Sequence, residues 1–135
     1  MKKYLHILTL SLLPIVACAQ KLPTGIAKAL GSARSPEARY HAHLQAYDYF
    51  AEKNRDSALY HANKTADIAR QANQQLSLAN TLDMKAYQLT GSGHYADALK
   101  NLLQAFEICN DTKNAVPGWL TFQGSDPEKI RLITL

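Results

Sequence analysis

The residues here whose types could do chemistry are few: the histidines His41, His43, His61 and His94, the cysteines Cys18 and Cys109, and the stretch Gly91-Ser92-Gly93-His94. His41 and His43 are two apart, so on one helix they point about 200° from each other and cannot share a metal ion. His61 and His94 belong to other segments and are expected at unrelated depths, as surface or groove histidines, so no metal site and no cofactor are expected. Cys109 has no CxxC partner and no nearby base, which marks it as a small apolar residue near the end of a helix. The glycine stretch lacks the G-x-G-x-x-G spacing and a preceding strand, which removes a nucleotide reading. No GxSxG, HExxH, Walker or EF-hand pattern occurs, and no enzyme is expected within this chain.

Charge excludes a further class. The chain has 135 residues, with 15 Lys and Arg against 11 Asp and Glu. Two of the basic residues are Lys2 and Lys3, whose role is separate, and without them the balance is 13 against 11. So small an excess is no argument for a nucleic-acid partner.

The start, MKKYLHILTLSLLPIVACAQ, combines a basic pair with an apolar run from Tyr4 to Ala17 and then small residues. The run is short for a membrane span and contains Pro14, so residues 1–19 read as an export signal and the chain is expected in the periplasm or cell envelope. Two cleavage readings stay open. Ala17-Cys18-Ala19 is an A-x-A site that would discard Cys18, and Ile15-Val16-Ala17-Cys18 resembles a bacterial lipobox in which Cys18 carries the lipid. Membrane association is expected only through that anchor or through a transmembrane helix beyond this chain.

The elements that must position everything else are helices. Residues 20–34, with Pro23, Gly25 and Gly31, read as a linker. Ser35-Pro36-Glu37 then supplies a capping hydroxyl, a proline at the first helical position and an acid facing the positive end of the helix dipole. Four amphipathic helices are expected at about 36–53, 57–72, 75–90 and 94–110. They break at Asn54-Arg55-Asp56, Asn73-Gln74 and Gly91-Ser92-Gly93. The fold class is all-α, and the short connections predict antiparallel helix hairpins.

A shift of forty residues lays Ala46 on Ala86, Tyr47 on Tyr87, Tyr49 on Leu89, Ala58 on Ala98, Leu59 on Leu99, Thr65 on Ala105 and Ile68 on Ile108. Two copies of one helix-turn-helix unit are therefore present, residues 35–73 and 74–111. Alanines at Ala46, Ala58, Ala86, Ala98 and Ala105 are close-approach points between paired helices. Leu82, Leu89, Leu99, Leu102, Phe106 and Ile108 should supply apolar bulk around those of the second copy.

These residues resemble the tetratricopeptide repeat family: a small residue in the first helix, a large one a turn later, and small residues twelve and nineteen positions on. The set is Ala46, Tyr49, Ala58 and Thr65, then Ala86, Leu89, Ala98 and Ala105, with Gly93 and Tyr95 matching the family's turn. The chain departs from the pattern in three respects. Its repeat is forty residues against about 34, and the extra length falls between Thr65 and Ala86. Ala42 and Leu82 stand at the family's Trp position, and the closing proline is absent.

The resemblance implies a helical-repeat solenoid that binds a protein or peptide on the concave face lined by its first helices. Counted onto that face, the candidate binding residues are Tyr40, His43, Tyr47 and Phe50, then Asn80, Asp83 and Tyr87. Aromatic residues in such a groove anchor partners, or pack against neighbouring helices. The Lys and Asn clamp for terminal carboxylates is not matched. Exported arrays with long repeats are also similar to the N-terminal sensing regions of bacterial histidine kinases and related regulators.

Residues 112–125 read as an irregular connection in which Trp119, Leu120 and Phe122 make apolar contacts. Asp126-Pro127-Glu128 repeats the start chemistry of Ser35-Pro36-Glu37, so 126–135 reads as the first helix of a third, truncated repeat. Two full copies fall short of the three usually needed. The expectation is an N-terminal fragment of a larger signalling protein. The alternatives are a free-standing envelope lipoprotein scaffold and a short protein that self-associates.

Overall fold

The computed structural model describes residues 21–114 together with Gly118 and Trp119. The export signal, Cys18, the third-repeat helix at 126–135 and most of the connection at 112–125 lie outside the described residues.

Five α-helices follow one another: α1 Thr24–Ser32, α2 Pro36–Phe50, α3 Arg55–Gln71, α4 Gln75–Gly91 and α5 Tyr95–Asn110, with a single 3₁₀ turn at Thr112–Asn114. The described residues are all-α, without a strand. Sequential neighbours pack on one another along the whole series, α1 on α2, α2 on α3, α3 on α4 and α4 on α5.

Local chemistry sets the helix ends. The Ser35 hydroxyl accepts from the Ala38 amide at 3.1 Å, ahead of Pro36 and Glu37. Asn54 caps α3 in the same way, its Oδ1 accepting from the Ser57 amide at 2.9 Å. The exits of α3 and α4 share another device. Asn73 (φ 54°) and Gly93 (φ 78°) both adopt the left-handed conformation. The amides that follow them reach back five residues, Gln74 N donating to Ala69 O at 2.8 Å and His94 N to Leu89 O at 2.9 Å. This closes carbonyls that the helix end would leave unpaired and turns the chain within three residues.

The linker expected at 20–34 is corrected: Thr24–Ser32 is helical. Pro23 immediately precedes the helix and the glycines stand near its two ends, where their cost is small. Half-buried Leu22, Ile26, Ala29, Leu30 and Ala33 recur at i, i+4, i+7, i+8 and i+11, and this stripe turns α1 toward α2.

Two apolar clusters hold the helices together. One gathers Tyr40, Ala66, Ala69, Leu78, Ala79, Leu82 and Ala105, with Leu44, Ile68, Ile108 and Trp119 against it. The other joins Tyr47, Phe50, Ala58 and Ala62, with Leu22, Tyr49 and Met84 alongside. Ala46, Ala58, Ala86, Ala98 and Ala105 are all buried, and Tyr49 and Leu89 are half-buried. The close approach these small residues allow lets large neighbours fill the space between helices, each fully buried one contributing about 1.5–3 kcal/mol.

The apolar bulk expected around the second copy needs a correction. Leu82 is buried and Leu89 and Ile108 are half-buried, but Leu99, Leu102 and Phe106 are exposed. α5 buries only Ala98 and Ala105, because among the described residues only α4 and the 3₁₀ turn pack on it to any extent.

Candidate interaction face

α2 and α4 are the first helices of the two copies, and the residues placed on their shared face divide sharply. Tyr40, Tyr47 and Phe50, expected either to anchor a partner or to pack against neighbouring helices, are buried, a correction to their place on an open face with a specific cause. Tyr40 donates its hydroxyl to the carbonyl of Ser77 and Tyr47 donates to that of Met84, both at 3.2 Å. These two side chains cross from α2 to α4 and become the packing between them. Phe50 turns instead to α3, its ring stacked on that of His61 with centroids 5.8 Å apart.

Gln88, buried on α4, donates from Nε2 to the Tyr47 hydroxyl and to the Ala51 carbonyl, each at 3.2 Å. Its Oε1 has no partner among the described residues. Burial pushes the Tyr47 phenol upward in pKa, and the carboxylates of Asp48, Asp83 and Glu52 add to that rise.

Above this floor an accessible patch remains. Asp83 and Tyr87 are exposed on α4 and Asn80 is half-buried, its amide contacting the Met84 sulfur at 3.5 Å. Tyr87 donates its hydroxyl to Glu52 Oε1 at 2.8 Å, tying α4 to the end of α2. That hydrogen bond, followed by the carboxylate's charge, raises the Tyr87 phenol's pKa. Asp48 is exposed on α2, and partial desolvation raises its carboxyl. The result is an aromatic ring held in place on a surface carrying Asp48, Glu52 and Asp83.

His43 is the remaining candidate, and its position was not legible in the sequence. Half-buried on α2, its Nδ1 lies 2.9 Å from Nδ1 of His61 on α3, and His61 is itself buried. The expectation that His61 is a surface or groove residue at an unrelated depth is corrected accordingly. A contact between two ring nitrogens requires one to donate and the other to accept, which two neutral imidazoles satisfy. Burial first, then the nearby His61, Lys64 and Arg39, lowers the His43 pKa from 6.5 to about 4. Burial lowers that of His61 as well. Among the described residues no group of three or more His, Cys, Asp or Glu comes together in a way that could hold a metal ion. Cys109 is free and exposed.

The described chain thus presents packed helix pairs and an exposed polar-aromatic patch. Neither curated proteins nor solved structures provide a match. A family profile does: that of the SusR N-terminal TPR domain, over residues 24–107. The matched region begins at the first residue of α1 and runs into the last turn of α5, taking in more than half of the chain. TPR domains are non-catalytic protein-interaction repeats, and the chain belongs to this family, the SusR N-terminal TPR domains.

Proposed function

We propose that this domain binds a protein or peptide segment across the face shared by α2 and α4, with Tyr87 as the aromatic contact and Asp48, Glu52 and Asp83 selecting a basic segment. The observation that carries this is the Tyr87–Glu52 hydrogen bond, which fixes an exposed ring between two helices. A ring already held loses little side-chain freedom on binding. Complementary charge raises the rate of encounter and disfavours acidic partners. No small-molecule cofactor or nucleic acid enters this reading.

The same proposal places the domain outside the cytoplasm, as the sensing or scaffolding N-terminal part of a longer signalling protein of the sensor-kinase kind. It is supported by the export-type start and by the family profile, which describes an N-terminal domain of SusR. Ile15-Val16-Ala17-Cys18 supports the second reading, a lipid-anchored scaffold.

A photoreactive benzoylphenylalanine at position 87 of the full chain, expressed in its own cell, tests the face. It should give a discrete crosslinked partner that disappears with Asp83→Lys, whereas the same group at exposed Asn63 on α3 should not. Equal products from both positions would remove the proposed face. For the envelope reading, the mature chain should be recovered from the envelope fraction. Labelled palmitate lost with Cys18→Ser selects the lipoprotein, and a mature N-terminus at Gln20 excludes it.

A further inference from the structure

α4 has a second open side. Asp83 and Tyr87 belong to the face shared with α2, and Lys85 lies two positions from each, so on a helix it points about 200° away from both. On that side α3 and α5 flank α4 and leave a groove of about 430 Å³. Its floor is apolar, made by Leu59 of α3 with Leu82 and Leu89 of α4. Arg70, Lys85 and Lys100, one cation from each helix, line it against a single carboxylate, Asp97.

Two of these cations stand without a counter-ion. Arg70 is paired with Asp67 at 3.1 Å, whereas Lys85 and Lys100 form no ion pair among the described residues. The Arg70 pair uses Nη1, which leaves the other guanidinium nitrogens as donors. Lys85 is half-buried, and burial first, then the charge of Arg70, lowers the pKa of its amine, with Asp67 opposing. A carboxylate brought to that amine would replace the solvation its charged form loses on burial. The α2–α4 face, by contrast, carries Asp48, Glu52 and Asp83, so the two sides of α4 differ in sign.

The geometry points to this groove as a docking site for an acidic segment of a protein partner, its carboxylates meeting Lys85, Lys100 and Arg70 and its apolar side chains meeting the leucine floor. Charge complementarity sets the sign of the segment. The rest of the lining selects a peptide over a bare anion. Asn63, Asn101 and Gln104 present amides of the kind that pair with a peptide backbone, and an inorganic ion has nothing to bury against three leucines. Asn101 uses its Nδ2 on the Asp97 carbonyl at 2.7 Å, which leaves its Oδ1 to accept from a backbone amide. A partner in this groove does not require one on the α2–α4 face.

The test uses the isotope-labelled full chain and three end-blocked hexapeptides, ELEELE, EAEEAE and KLKKLK. In NMR titrations ELEELE should shift the amide resonances of Asn63, Lys85 and Asn101, and KLKKLK should not. Lys85→Gln should weaken ELEELE binding about tenfold. Lys100→Glu should weaken it as well, at an exposed position where the helical circular dichroism should be retained. Lys28→Gln, which removes an exposed charge from α1, should leave it unchanged. No shift at these amides with ELEELE would overturn the inference. Equal weakening by Lys28→Gln, or equal binding of EAEEAE, would reduce the groove to diffuse surface charge and overturn it too. So would sedimentation showing a dimer that Lys85→Gln and Asp83→Lys each dissociate, because the occupant would then be the acidic face of a second copy.

Discussion

The paired histidines His43 and His61 give the domain an acid sensitivity whose size can be worked out. His43 titrates near 6.5 in the unfolded chain and near 4 in the folded one. Above pH 6.5 neither state binds the proton, and this group contributes no pH dependence. Between 6.5 and about 4 the unfolded chain holds more protons, so stability falls as the pH falls; below about 4 the loss is complete. The fall in pKa corresponds to about 3.4 kcal/mol at 1.36 kcal/mol per pH unit. His43 is only half-buried, and solvent screening takes about half, leaving roughly 1–1.5 kcal/mol at pH 4.5. His61 acts in the same direction. Asp48, with a raised carboxyl pKa, acts in the opposite one. The quantity to measure is therefore a difference, the urea-unfolding free energy at pH 7.5 minus that at pH 4.5, for the natural chain and for His43→Gln. The natural chain should lose roughly 1–1.5 kcal/mol more. In proton NMR the His43 ring should titrate below pH 5. A His43 ring titrating near 6.5, or identical pH dependence in the two proteins, would refute the reasoning from burial and the paired ring.

Three further outcomes follow from the packing. Ala98→Leu should destabilise the α4–α5 hairpin by about 1–3 kcal/mol through overpacking, while Lys100→Leu on the exposed side should shift the urea midpoint little. Gly93→Ala should cost about 1 kcal/mol by thermal unfolding; nothing lies within 4 Å of the added methyl, so the cost comes from the positive φ of 78° alone. Ser77→Ala removes the acceptor that holds the Trp119 amide. The fluorescence of this single tryptophan should then become more open to acrylamide quenching, and unchanged quenching would show that the Tyr40 contact holds it alone.

What was legible in the sequence was local. The helices α2 to α5 announced themselves through Ser35, Asn54, Asn73 and Gly93, whose side chains or backbone freedom act on amides within a few residues. α1 is hidden in the sequence because Pro23, Gly25 and Gly31, the residues of a linker, lie along the same stretch as the apolar stripe from Leu22 to Ala33. Which of the face's aromatic residues stay open is decided by a non-local feature. Whether Tyr40 and Tyr47 open to solvent or cross to α4 depends on carbonyls 37 residues away. The His43–His61 pair likewise depends on how α2 is rotated against α3, which no spacing along the chain encodes.

The contrast between the two copies bears on how any further helix would sit. α3 lies between α2 and α4 and keeps Ala58, Ala62, Ala66 and Ala69 buried. α5 keeps Ala98 and Ala105 toward α4, but at the positions of Ala62 and Ala66 it has Leu102 and Phe106. Larger side chains at the contact push helix axes toward the wide end of their usual separation. Anything that packs on α5 therefore meets a bulkier surface than α4 meets on α3. Replacing Leu102 and Phe106 together by alanine, at exposed positions of α5, should therefore leave the urea-unfolding midpoint of the described helices nearly unchanged, and a large drop would show that these side chains are covered in solution.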